Sequence, residues 1–226
     1  MRLLLKLSGE VLGGRAGLGL DPEALSHFAD TIAALAQKHE VAIVTGGGNI
    51  MRGKTASGLD RAKADQIGMM ATVVNCMTLA EYLVARKCNA TAMSSVASLA
   101  RPYDITAARQ LLANRHVVLV AGGTSNPYFT TDSAAALRAL ELRCDLLVKA
   151  TKVAGIYAAD PAKPPDAKRF DRIRYDDAIA RNLGVMDLTA MVLCRDNKLS
   201  LRVCSVADLP QLDAVIEDDS RSTLVY

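Results

Sequence analysis

Short runs of consecutive apolar residues, each ending in glycine or polar positions, alternate along this chain with longer stretches in which apolar residues recur every three to four places. A strand buried on both faces reads as an unbroken apolar run, whereas a helix over a sheet is apolar on one side only. This reading places strands near 2–7, 41–45, 89–93, 116–121, 145–150 and 200–205, with a last one near 222–226. Helices fall between them near 22–38, 60–86, 104–114, 131–143, 175–182, 187–197 and 208–217. Strand and helix in alternation predict the α/β class, a three-layer αβα sandwich with a mostly parallel central sheet covered by helices on both faces. Asp21-Pro22 is a helix opening, an N-cap followed by proline at the first helical position. The stretch 158–174, with Asp160-Pro161 and Pro164-Pro165 among charges, reads as a surface excursion with the makings of a lid. The run from Ile67 to Leu83 is apolar nearly all round, as expected of a central core helix or a subunit interface; it carries Asn75 and Glu81 and reads as too short and polar to cross a bilayer.

Composition narrows the classes. Half of the 226 residues are hydrophobic, enough for one generous domain or two small lobes. Lys and Arg number 27 against 24 Asp and Glu, without a basic block, so nucleic acid is not an expected partner. The cysteines Cys76, Cys88, Cys144, Cys194 and Cys204 are widely spaced in apolar surroundings, which predicts buried thiols in a reducing compartment and neither a zinc site nor disulfides. No signal peptide or membrane span is read, and the expected setting is cytoplasmic.

Candidate chemistry gathers at the strand ends. After Val41-Ala42-Ile43-Val44 comes GGGNIMRGKT, Gly46 to Thr55. Gly48 to Thr55 satisfies the P-loop pattern, but that loop's Lys and Thr open a helix, and here Ala56-Ser57-Gly58 follows while the next helix signal is Asp60. The competing reading is a turn at Gly46-Gly47-Gly48-Asn49 whose bare backbone offers N–H groups to phosphate, with Arg52 as a bidentate partner. A plain tight turn is the bland alternative. Lys6-Leu7-Ser8-Gly9 ends the first strand and could set an ammonium against phosphate, although many strands end in a solvated lysine. Thr124, Ser125, Asn126, Thr130, Thr131 and Asp132 cluster after the strand ending at Ala121, the end of the sheet where α/β proteins bind ligands; Asp132 also reads as a simple N-cap. Lys149-Ala-Thr151-Lys-Val-Ala-Gly155-Ile-Tyr157 runs into a turn where Tyr157 could pack on a base and Asp160 could accept from ribose or base, or where Tyr157 is merely half-buried.

These segments together resemble the bacterial type of UMP kinases in the amino acid kinase superfamily. The likeness covers essentially the whole chain and rests on Lys6 to Glu10, Gly46 to Asn49 with Arg52-Gly53, Asp60-Arg61 with Asp65 and Gly68-Met69, Asn126-Pro127 with Phe129 to Asp132, Lys149 to Val153, Ala159 to Pro161, and Val185 to Asp187 with Arg195-Asp196. It implies an amino acid kinase-like fold in one domain, 1–226, with an acceptor-nucleotide part roughly 1–145 and an ATP part roughly 146–226. By resemblance, Lys6, Leu7, Ser8, Gly9, Gly48, Arg52, Thr151, Tyr157 and Asp160 would hold ATP. Gly47, Asp65, Thr124, Ser125, Asn126, Pro127, Tyr128, Phe129, Thr130 and Thr131 would hold UMP, and Lys6, Arg52, Asp132 and Asp187 would carry catalysis, Asp187 also having the look of an N-cap. The implied reaction is phosphoryl transfer from ATP to UMP, with Mg²⁺ arriving with ATP and no dedicated metal ligands in the chain. A homohexamer is implied, as are GTP or UTP effectors at Gly14, Arg15, Ala16, Gly17, Leu18 and Gly19. There Ala16 and Leu18 stand where acidic and aromatic residues are common, Ala154 and Ser125 replace the family's usual Asp and Gly, and Met51 its usual Phe. A non-catalytic nucleotide-binding or regulatory protein on the same scaffold, or a kinase of another small acceptor, is the alternative.

Overall fold

A computed structural model of the chain describes residues 1–51, 58–158, 168–184 and 186–226. The strands in chain order are β1 (Arg2–Leu7), β2 (Glu40–Thr45), β3 (Ala90–Ser94), β4 (Arg101–Pro102), β5 (Val117–Ala121), β6 (Leu146–Thr151), β7 (Ile156–Tyr157), β8 (Arg169–Phe170), β9 (Arg172–Ile173), β10 (Ser200–Ser205) and β11 (Thr223–Val225). Nine of them form one sheet in the order β4-β3-β5-β2-β1-β6-β10-β11-β9, parallel throughout except where β11 runs against β10. The remaining pair, β7 and β8, makes a small antiparallel ribbon.

The helices are α1 (Gly9–Leu12), α2 (Pro22–Ala36), α3 (Arg61–Val84), α4 (Ile105–Ala113), α5 (Thr131–Glu141), α6 (Tyr175–Ala180), α7 (Leu188–Asp196) and α8 (Leu212–Glu217). Side chains alternate across β1: Leu3, Leu5 and Leu7 enter the core with α2 and α3, whereas Leu4 enters the core with α4, α5 and α7. Each fully buried leucine contributes roughly 1.5–3 kcal/mol, and the two cores together make the expected three layers. Lys6 follows Leu4 and faces the α5 layer.

Caps behave as the sequence implies. Asp21 accepts from Ala24 N at 2.8 Å ahead of Pro22, and Asp60 accepts from Lys63 N at 3.1 Å. The described helix that follows the glycine turn, α3, opens at Asp60, as the sequence signal there implies. Arg52, Lys54 and Thr55 themselves lie outside the described residues, as do Asp160 and Val185.

The structure departs from the sequence reading in places. The expected helix near 208–217 is a 3₁₀ turn, Val206–Gln211, followed by α8, because Pro210 has no N–H to donate to an α-helical ladder. The excursion near 158–174 contains β8 and β9 in its described part. Helix α3 extends beyond the apolar run, and by length and composition alone it would pass for a membrane span; half of that apolar window is buried inside the fold. All five cysteines are free and buried, and burial pushes the Cys76 and Cys194 thiols up to about 11.

Candidate active site

Parallel pairing of β1 with β6 puts Lys6 beside Lys149, so two ammonium groups emerge side by side toward the first turn of α5. Asp132 lies between them. Lys149 Nζ donates to Asp132 Oδ2 at 2.7 Å. Lys6 Nζ sits 2.9 Å from Oδ1, close enough for an ion pair but out of hydrogen-bond alignment. The three side chains are only 12%, 15% and 14% exposed. Burial favours the neutral form of Asp132, but the ammonium groups of Lys6 and Lys149 outweigh it and hold the carboxyl below its ordinary pKa. Burial also lowers the pKa of Lys149, opposed by Asp132 and reinforced by Lys6. The result is a compact cationic centre with net charge near +1, suited to a polyanion.

Asp132 is not the N-cap that it resembles in sequence. Thr130 takes that role, its extended backbone letting Oγ1 accept from the N–H groups of Asp132 at 3.0 Å and Ser133 at 3.4 Å. Asp132 is thereby released to face the lysines. Asp187 is an N-cap, accepting from Ala190 N at 2.9 Å, and it also accepts hydrogen bonds from Thr130 and from Ser133 Oγ at 2.8 Å. It ties α7 to the opening of α5 and adds negative charge near Lys149.

Two glycine turns close over this centre. A Cβ on Gly9 would lie 2.4 Å from Asn49 Oδ1 and 2.5 Å from Gly46 O, so only glycine lets the two turns meet. Their spacing is held by a buried amide pair. Asn75 Nδ2 donates to Gly46 O at 2.7 Å and to Asn49 Oδ1 at 2.8 Å, while Asn49 Nδ2 donates to Asn75 Oδ1 at 3.0 Å and to Gly19 O at 2.6 Å. Gly48 lies in this turn. Gly47 rests against α3, where a Cβ would lie 2.6 Å from Gly68 O.

Beside the turns opens a cleft lined by Gly47, Met51, Asp65, Met69, Gly123 and Thr124, and completed by Gly68, Asn126, Phe129, Thr130 and Thr131. Seven of the ten residues expected to hold the acceptor therefore share it. Ser125, Pro127 and Tyr128 do not line it. Ser125 holds a positive φ of 68° and donates to Ser95 O at 2.9 Å, which accounts for a preference for glycine there. The Tyr128 ring is exposed with Arg61 5.7 Å from its centre, and its N–H donates to Asp65 Oδ2 at 2.9 Å. Asp65 also accepts from Arg61 Nε at 2.9 Å.

On the other side of Lys6, Thr151 ends β6 with its hydroxyl donating to Val153 O at 2.8 Å, and Tyr157 stands on the β7–β8 ribbon. Leu7 belongs to the core, and Ser8 precedes α1 without a side-chain cap bond. The segment Gly14 to Gly19 forms a 3₁₀ turn, Gly14–Ala16, and reaches the glycine turn through Gly19 N to Asn49 O at 2.8 Å. The sequence reading assigned no role to Lys149, Asn75 or Gly123. The first was signalled by its strand-end position, whereas a lone asparagine in an apolar helix carries no local sign of its partner.

Paired lysines on adjacent parallel strands, an organising carboxylate and two apposed glycine turns define an α/β protein that handles phosphate groups. The model of the amino acid kinase family matches residues 1–205, and the chain belongs to that family. Relatives named uridylate kinase include one from Magnetococcus marinus, 43% identical over 99% of this chain and 95% of its own length, and one from Methylococcus capsulatus, 45% identical over 99% and 96%. Among solved structures, the UMP kinase from Ureaplasma parvum superposes with a TM-score of 0.93 at 33% identity, covering all of this chain and 98% of that one.

Proposed function

We propose that this chain is a uridylate kinase, transferring the γ-phosphoryl group of ATP to a phosphate oxygen of UMP to give UDP and ADP. The observation that carries the reading is the Lys6–Asp132–Lys149 cluster set between two apposed glycine turns and flanked by the acceptor cleft. Bond formation joins a UMP phosphate oxygen to the γ-phosphorus as the bond to the ADP oxygen breaks. The acceptor oxygen is already ionised at neutral pH, so no side chain has to remove a proton. Catalysis then rests on positioning and on offsetting negative charge.

Lys6, with Lys149 beside it, meets the charge on the transferred group, and Asp132 fixes both ammonium groups without neutralising them fully. Gly48, Ser8 and Gly9 offer backbone N–H groups to the ATP phosphates, and Arg52 by resemblance adds a guanidinium. Thr151, Tyr157 and Asp160 serve the donor nucleoside, dividing the chain into an acceptor part up to about 145 and a donor part beyond it. Asp65, Thr124, Asn126 and Phe129 serve the acceptor. Asp187 acts mainly by anchoring Thr130 and Ser133.

Magnesium enters as part of the Mg·ATP substrate, held chiefly by phosphate oxygens. Among the described residues no three His, Cys, Asp or Glu side chains gather where they could hold a metal ion. Exposed Ile67, Met70 and Val74 on α3 support a homo-oligomer, a hexamer by resemblance. The Gly14 to Gly19 segment, joined through Asn49 to the glycine turn, is the place for a GTP or UTP effector, and the setting is cytoplasmic.

A coupled assay of ADP release tests the reading across UMP, CMP, acetylglutamate and carbamate. UMP is the expected acceptor. Turnover with an amino acid derivative but not with UMP refutes it.

A further inference from the structure

Arg138 sits in the last turn of α5, only 5% exposed, on a buried face otherwise made of alanines and Ser133. A buried guanidinium is costly, and an apolar residue of similar size is usually the cheaper occupant. Its contacts show what it holds. Nη1 donates to Glu141 Oε2 at 2.7 Å, and the guanidinium lies 4.6 Å from the centre of the Tyr103 ring, whose hydroxyl donates to the same Glu141 oxygen at 2.8 Å. Nη2 leaves this cluster and donates to Gly123 O at 3.0 Å.

Gly123 and Thr124 line the acceptor cleft on one side. Behind them Thr124, Ser125, Tyr103, Arg138 and Glu141 line a second cavity of about 610 Å³. Gly122 packs against Ser95 and Val96, whereas Thr124 lines both spaces, so the strip from Gly123 to Ser125 is a wall between them. Hydrogen bonds hold it in place, and the one from Arg138 is charge-assisted and buried, conditions in which such a bond is strongest. The segment is also held by Gly122 N donating to Thr72 Oγ1 at 2.9 Å, by Ser125 Oγ donating to Ser95 O at 2.9 Å, and by Ser95 Oγ donating to Ala121 O at 3.1 Å and, at a longer 3.4 Å, to the same Gly123 O.

We infer that Arg138 is a positioning residue for the acceptor: it sets the wall of the UMP cleft through Gly123 while touching neither nucleotide. The inference rests on the uridylate kinase reading. Loss of the tether lets the wall yield into the cavity behind it, weakening UMP and leaving the ATP side, built on β1 and β6, as it was.

Steady-state kinetics on R138M and R138K, with thermal melting alongside, tests this. R138K keeps the charge but lacks the planar fork, so it cannot hold Glu141 and Gly123 together. In both variants KM for UMP should rise about tenfold or more, while KM for ATP stays within about twofold. A merely structural role would lower the melting temperature and the active fraction with both KM values unchanged, and that result overturns the inference. So does an equal rise in both KM values. If R138M does not fold, R138K decides, and if neither folds Arg138 is a core residue and the inference fails. Wild-type protein that leaves UMP unphosphorylated sinks the functional reading instead, before either variant is compared.

Discussion

Replacing Asp132 by Asn keeps the shape of the Lys6–Asp132–Lys149 cluster and removes its only negative charge. Lys6 and Lys149 then face a neutral amide where the carboxylate stood, at the 2.9 and 2.7 Å of the two ion pairs. Removing one partner of a buried ion pair costs about 3–5 kcal/mol, and the partial exposure of all three side chains puts this site near the lower end, about 3 kcal/mol. For a chain of this size that is a fall in melting temperature of about 6–12 °C.

The deficit should also depend on pH, with signs fixed by the two shifts. The carboxyl of Asp132 has a folded pKa below its ordinary value, so its stabilisation is present above about pH 4 and is lost as pH falls through the folded value. On the acid side the wild type therefore descends toward the variant. Burial and Lys6 lower the pKa of Lys149, opposed chiefly by Asp132 and to a smaller extent by Asp187; in D132N the larger opposition is gone. The folded variant then sheds a proton while the unfolded chain keeps it up to about pH 10.4, so the variant gains stability as pH rises through that window. Denaturant unfolding from pH 3 to 10 should thus show the largest deficit near neutrality, shrinking at both ends. A deficit that is flat across this range would mean that packing, not charge, sets the role of Asp132, and a variant with wild-type stability and turnover would refute the cluster altogether.

Further outcomes follow from the same geometry. Lys6→Ala should lower turnover by about 2–4 kcal/mol of transition-state stabilisation, as loss of one electrostatic donor does, read from ADP release. Gly9→Ala drives a methyl to 2.4 Å from Asn49 Oδ1 and 2.5 Å from Gly46 O, so kcat/KM should fall by at least about tenfold; unchanged kinetics would mean that the apposed turns are not part of the site. Asn75→Ala strands Asn49 Oδ1 and Gly46 O and should cost about 1–3 kcal/mol in denaturant unfolding. Lys54→Ala should keep turnover within about twofold, since the helix opens at Asp60, and abolished activity would restore the P-loop reading.

The layers of this fold were legible because β1, β2, β5, β6 and β10 are buried on both sides and therefore read as apolar runs. The two-residue strands β4, β7, β8 and β9 were not, because only their partners define them. In the site, Lys6 and the Gly46 to Gly48 turn announced themselves by standing at strand ends or among glycines, whereas Asp132 read locally as an N-cap and gained a role only from the family resemblance. Lys149 too stood near a strand end, but its pairing with Lys6 needed the register of β1 against β6, which is a property of two distant segments. Three polar residues in a row, Thr130, Thr131 and Asp132, compete for one helix cap, and backbone geometry decides the winner in favour of Thr130. Asn75 and Arg138 were invisible for a different reason: a single polar residue in a helical pattern does not say whether it meets solvent or a buried carbonyl.

The most direct measurement is ³¹P NMR of the protein with ATP, Mg²⁺ and UMP, which reads every phosphorus-containing product at once. Transfer to the acceptor predicts UDP and ADP in equal amounts and no inorganic phosphate. ADP with inorganic phosphate, or both nucleotides bound without turnover, would contradict the account.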